Sequence, residues 1–164
     1  MQQFTAAVQG LVSLVCRLAL AAVFLASVVS MLPPRFSATV EVMKSQGVPN
    51  PTFALFGAIG LLIIGGVAVV LGAWTRFGAI FLFVFLAAAT FYFHDFWTFA
   101  DPKLRQDQTI QFMKNLAIGG GLLALVAFGG GPWSVDGWIA LKQEEAESAA
   151  PPRTRSESKV QQAA

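Results

Sequence analysis

A single charge interrupts the long apolar stretches of this chain. Arg17 sits inside the run Leu11 to Leu32, and no acidic residue lies within any of the apolar runs to neutralise it. If the run is helical, Arg17 is about 9 Å in from Leu11, at about 1.5 Å per residue. A guanidinium in that setting has two outlets. It can lay its stem back along the helix so that its head reaches the nearer boundary, or it can face the interior and meet an anionic or carbonyl-bearing ligand. A second group of chemically capable residues is His94-Asp95-Phe96-Trp97, followed by Gln111, Lys114 and Asn115. An imidazole can relay protons or polarise a carbonyl near neutral pH. If these two stretches are the facing ends of consecutive antiparallel helices, Asp95 and Lys114 come within pairing distance. Arg17, His94, Asp95, Lys114 and Asn115 are therefore the candidate ligand-binding residues. No catalytic set can be assigned.

Several chemistries lack their parts. One His and one Cys, far apart in the chain, cannot supply the three or four ligands of a metal site. Cys16, alone, forms neither an internal disulfide nor a two-thiol redox pair. The formal net charge is only +2, with basic residues scattered between connectors and tail, so nucleic-acid binding has no electrostatic footprint. No cofactor motif is evident.

The elements that must position these residues are four apolar runs: Leu11 to Leu32, Phe53 to Trp74, Phe77 to Phe93 and Leu116 to Trp133. Each is long enough to cross a bilayer core of about 30 Å, which needs roughly 17 to 25 helical residues. The four tryptophans and eight prolines lie at or beyond the edges of these runs, where interfacial rings and helix breakers belong. With 55% hydrophobic and 12% charged residues and a mean hydropathy of +0.64, the chain has too little polar surface for a soluble globule. The expected architecture is an all-α polytopic membrane protein: an N-terminal interfacial segment over 1–10, and a four-helix membrane domain over 11–138. Its helices are expected near 11–32, 53–74, 77–97 and 110–131. The polar stretch 139–164 has the composition of a disordered tail. The first run carries no clear cleavage site and is read as a retained helix. Ser37 to Ser45 could form a short interfacial helix, and Thr75-Arg76 a tight hairpin.

Four spans put both termini and the Thr75-Arg76 hairpin on one side. The basic residues do not choose that side: Arg35, Lys44, Lys103, Arg105 and Lys114 oppose Arg76, Lys142, Arg153, Arg155 and Lys159. A tight hairpin and a charged tail are easily left untranslocated, which favours cytoplasmic termini. Small residues four apart, in the rows Ala22-Ala26-Ser30, Ala54-Ala58 and Ala117-Gly121 or Gly120-Ala124, together with Gly65-Gly66, suggest close helix packing.

Read in order, Arg17-Leu-Ala-Leu-Ala-Ala-Val-Phe-Leu, Gly47-Val-Pro, Gly65-Gly66, Leu71-Gly-Ala-Trp-Thr-Arg76, His94-Asp-Phe-Trp97 and Gln111-Phe-Met-Lys-Asn-Leu-Ala-Ile-Gly-Gly-Gly121 resemble the DoxX family of small bacterial four-helix membrane proteins. The resemblance covers Val15 to about Asp136. It implies an inner-membrane, multi-pass protein, associated in some relatives with quinone-linked sulfur oxidation and in others with oxidoreductase and thiol-metabolism complexes. Members of the family often carry a lysine at the end of helix one and a glutamate before the Gly-Gly of helix two; here Val28, Met31 and Leu62 stand in that region. The leading expectation is a membrane subunit or scaffold of a redox or stress-related complex, not catalytic on its own. Its partners would be the lipid bilayer, a protein in a membrane complex and, in a homo-oligomer, further copies of itself. The alternative is the membrane subunit of a quinone-linked oxidoreductase of the thiosulfate:quinone type.

Overall fold

Helix boundaries in this chain follow from a few residues that stop or start a helix. Pro51 opens a helix at a position where its missing N–H costs nothing. Gly72, at φ +67°, closes the same helix in the left-handed conformation, with the Gly72 and Ala73 N–H groups turned back onto the Ala68 carbonyl. Asp101 starts another: its carboxylate accepts the Lys103 and Leu104 N–H groups, both at 2.9 Å, with Pro102 in the first helical position. In a computed structural model that describes residues 2–32 and 35–149, the helices are α1 (Gln2–Met31), α2 (Phe36–Ser45), α3 (Pro51–Leu71), α4 (Thr75–Phe93), α5 (Pro102–Phe128) and α6 (Val135–Ala149), with a 3-10 turn at Phe96–Thr98. Four of them, α1, α3, α4 and α5, are long and apolar enough to cross a membrane.

These boundaries differ from the sequence expectation in informative places. α1 begins at Gln2, so residues expected to form a separate interfacial segment continue the first helix. α5 begins at Pro102 rather than near 110, because the Asp101-Pro102 start signal lies well ahead of the apolar run. Residues Lys142–Ala149, expected to be part of the tail, belong to α6; residues 150–164, like Pro33 and Pro34, lie outside the described residues. The short helix expected over Ser37 to Ser45 is α2.

α1 packs on α3, α3 on α4, and α4 on α5, as sequential antiparallel neighbours, while α1 meets α5 more sparsely. The α1 contact face is the stripe Arg17, Ala21, Phe24 and Val28, at helical spacing. Around it, Leu62 and Val69 of α3, Ala79, Leu82 and Leu86 of α4, and Leu122 and Leu125 of α5 complete one core. α3 and α4 approach backbone to backbone. A methyl placed on Gly65 would lie 2.8 Å from the Gly78 carbonyl oxygen, so glycine there sets the interhelical distance. The row Ala22, Ala26 and Ser30, by contrast, is exposed and takes no part in this packing. Large apolar side chains such as Phe53, Phe128 and Val29 crowd the outside of the bundle, the surface a bilayer covers. Val28 and Leu62 are buried in the core and Met31 packs against it. Apolar packing therefore fills this place, leaving no orphaned ion.

Candidate functional site

Arg17 does not run out to the boundary. At 1% exposure it is the largest fully buried side chain among the described residues, and what it meets is backbone. Nη1 donates to the Val69 and Val70 carbonyls at 3.3 and 3.1 Å, and Nη2 donates to the Trp133 carbonyl. The first two belong to the last turn of α3, whose final carbonyls have no intrahelical partner. A cation at a helix C-terminus also opposes the helix dipole favourably. Nε alone makes no hydrogen bond. The arrangement needs Gly72: a side chain there would collide with Arg17 Nη1 and the Ser134 Cβ.

The segment Gly129–Ser134 threads into this end of the bundle along α1. Ser13 Oγ donates to the Gly130 carbonyl at 2.6 Å, and the Trp133 ring covers Gly10 so closely that a methyl on Gly10 would sit 2.6 Å from it. Gly10, Ser13 and Arg17 thus form one face of α1 that grips this segment. Asp136 follows. Its carboxylate accepts the Trp74 N–H at 2.8 Å, the Thr75 N–H at 2.9 Å and the Thr75 hydroxyl at 2.8 Å, while its own N–H donates to the Gly72 carbonyl at 2.9 Å. Asp136 is in effect the N-terminal cap of α4, delivered from a different helix. It also holds Trp74 in the left-handed region at φ 50°, a conformation that costs a non-glycine residue roughly 1 to 2 kcal/mol. Partial burial pushes the Asp136 carboxyl up, but the Thr75 and Trp74 hydrogen bonds and the Arg17 charge outweigh it, and the group is held below its ordinary value. Asp136 and Thr75 were not candidates from sequence, because nothing local in either marks a contact 61 residues away.

At the opposite end of the bundle, α4 and α5 present paired polar side chains. His94 Nδ1 is 2.8 Å from Gln108 Oε1. One turn deeper, Asn115 Nδ2 donates to the Thr90 hydroxyl at 2.9 Å, and that hydroxyl donates to the Leu86 carbonyl at 2.7 Å. The expected Asp95–Lys114 pair does not form. Asp95 Oδ2 accepts the Thr98 hydroxyl at 3.0 Å, Lys114 is exposed, and among the described residues the ion pair is Lys142–Glu145. The reason is angular. Successive helical residues are about 100° apart, so an α5 that turns Asn115 toward Thr90 turns Lys114 away. Of the five sequence candidates, the structure brings His94 and Asn115 to the α4–α5 seam, leaves Asp95 in the turn beside it, and places Arg17 near the other end.

Two apolar cavities open near this seam. One, of about 370 Å³, lies between α4 and α5; Phe83, Phe91, Trp97 and Phe112 line it, with Thr90 and Asn115 as its polar groups. The other, of about 440 Å³, lies among α1, α2, α3 and α4 and includes His94. Both fall within the size range of small-molecule sites. No group of three or more His, Cys, Asp or Glu that could hold a metal occurs among the described residues.

The sequence model of the DoxX family matches residues 12–95. Two proteins of Escherichia coli (strain K12) are similar. Inner membrane protein YqjF is 37% identical over 101 residues, 62% of this chain and 72% of the relative. Inner membrane protein YphA is 32% identical over 102 residues, 62% of this chain and 71% of the relative. No solved structure matches the chain.

Proposed function

Because the chain belongs to the DoxX family, we propose that it serves as a membrane subunit or scaffold that holds a protein partner or a small lipid-like ligand in the inner membrane, its termini cytoplasmic. The observation that carries this reading is the use made of Arg17. The one charge within the four apolar runs is spent on the Val69, Val70 and Trp133 carbonyls, so its role is to lock α1, α3 and the Gly129–Ser134 segment together. What the locked bundle then offers is a broad apolar exterior and two apolar cavities, surfaces suited to binding. A redox or stress-related complex is the setting the family resemblance favours, and a second copy of the chain is a further candidate partner.

Mild-detergent purification from wild-type cells and from cells carrying His94→Ala or a deletion tests the reading. Loss of a co-purifying membrane protein's abundance on deletion supports it. The second reading, a subunit of a quinone-linked oxidoreductase, draws on the 370 Å³ cavity, whose aromatic walls with Thr90 and Asn115 at one place suit a flat ring bearing carbonyl groups. Turnover of quinone by the isolated protein above a detergent blank, abolished by Asn115→Ala in the wall of that cavity, would replace the first reading with the second.

A further inference from the structure

The Gln108 contact fixes more than the orientation of His94. The structure sets Gln108 Oε1 2.8 Å from His94 Nδ1, and a carboxamide oxygen only accepts hydrogen bonds, so this arrangement is met by the tautomer with its proton on Nδ1. In the neutral ring Nε2 is then a lone-pair acceptor. It has no hydrogen-bond partner among the described residues, and it is not one of the sealed, unpartnered atoms of the interior. The imidazole lines the 440 Å³ cavity whose other walls include Met31, Met43, Leu55, Phe85 and Tyr92. Thr39, on the same wall, has its hydroxyl committed to the Arg35 carbonyl, whereas Tyr92 contributes a phenol group.

We propose that this cavity binds a lipid-soluble alcohol or phenol, its apolar body against Met43, Leu55 and Phe85 and its hydroxyl donating to His94 Nε2. This rests on the reading that the protein holds a small lipid-like ligand, and it names the chemical class. A ligand whose only polar group is a carbonyl or ether would set oxygen lone pairs against that of Nε2, whereas a hydroxyl offers the missing donor. Gln108 acts as a positioning residue, since it selects which ring nitrogen accepts.

His94 is the only histidine, so protein labelled with ¹⁵N in its imidazole gives one pair of ring resonances. In lipid nanodiscs at pH 9, above the range in which imidazoles protonate, the ring nitrogens should show the Nδ1–H tautomer. Titration with 4-butylphenol should move the Nε2 resonance saturably, and 4-butylanisole, the same molecule without its donor, should not. Ala58→Phe, which fills the cavity wall, should weaken the phenol response at least 10-fold while keeping the tautomer pattern; Ala88→Phe provides a second filling variant should the first misfold. Gln108→Ala should mix the tautomers. An Nε2–H tautomer in the free protein, an equal response to the anisole, no response to the phenol, or a response untouched by both filling variants would each overturn the proposal. Failure here with partner abundance still dependent on the protein removes this ligand alone, whereas saturable phenol binding with no dependent partner removes the scaffold reading alone.

Discussion

The Arg17 guanidinium donates to the Trp133 carbonyl, so one side chain of the first span ties down the segment that follows the last. Through Nη1 the same group holds the end of α3. Three parts of the chain distant in sequence are thereby joined by a cation that satisfies carbonyl groups otherwise unpaired in an apolar setting. Desolvating a guanidinium is costly, and the compensation is geometric, because its planar fork can reach several acceptors at once.

Arg17→Ala should therefore cost more than about 3 kcal/mol, since each buried carbonyl left unpaired costs about 1 to 3 kcal/mol. Arg17→Lys should recover only part of this, because an ammonium cannot span the α3 end and Trp133 together. Thermal melts in detergent decide the matter. A melting temperature for Arg17→Ala equal to wild type would mean that the guanidinium does not hold the bundle together.

Gly72 and Gly60 form a matched pair of opposites. Gly72 combines φ +67° with contact to Arg17 and Ser134, whereas a methyl on Gly60 meets nothing within 4 Å. Gly72→Ala should destabilise by at least about 2 kcal/mol, from left-handed strain plus displacement of Arg17. Gly60→Ala should be neutral or stabilising by up to about 1 kcal/mol, as expected for a helix interior. Folded yield and melting temperature of the two variants, compared side by side, test both halves.

The four spans were legible because an apolar run long enough to span needs no partner to be recognised, whereas their ends were set by Pro51, Gly72 and Asp101-Pro102, local signals that do not coincide with the ends of the apolar runs. The site was less so. Arg17 stood out as a charge in an apolar run, but its partners are backbone carbonyls, which carry no residue identity for a sequence pattern to reveal. Asp136 caps α4 from another helix, and its partners Trp74 and Thr75 announce nothing of it. His94 and Asn115 were chosen for their chemistry and do lie at the α4–α5 seam, yet the partners Gln108 and Thr90 depend on helix rotation. The same rotation separates Lys114 from Asp95, which depth alone would have paired.

Asp136 gives the fold an acid-sensitive element with a defined sign. Its carboxyl is held below the ordinary value in the folded protein, so the stability it contributes is present above the unfolded value of about 3.9 and is lost as pH falls through the lower, folded value. Wild type should accordingly lose stability below about pH 4, and Asp136→Asn should lack that component while being less stable at neutral pH by about 1 kcal/mol, the usual worth of a capping carboxylate. Melting curves from pH 7 to pH 3 for both proteins make the comparison, and parallel pH profiles would show that Asp136 is not the group responsible.

Four spans fix a pattern of exposure that labels can read. Cys16 is exposed on α1, so it is first replaced by serine, and single cysteines are placed at Ser45, Arg76, Asp107 and Glu144, all exposed. Ser45 closes α2 and Asp107 lies in the polar first turns of α5, after an odd number of spans; Arg76 opens α4 and Glu144 lies in α6, after an even number. A membrane-impermeant maleimide applied to intact cells stripped of their outer membrane should reach Ser45→Cys and Asp107→Cys and spare the other two, given cytoplasmic termini. The reversed pattern would overturn only the direction of insertion. A mixed pattern would overturn the four-span arrangement itself, because Ser45 and Asp107 share a side opposite Arg76 only if α3 and α4 both cross.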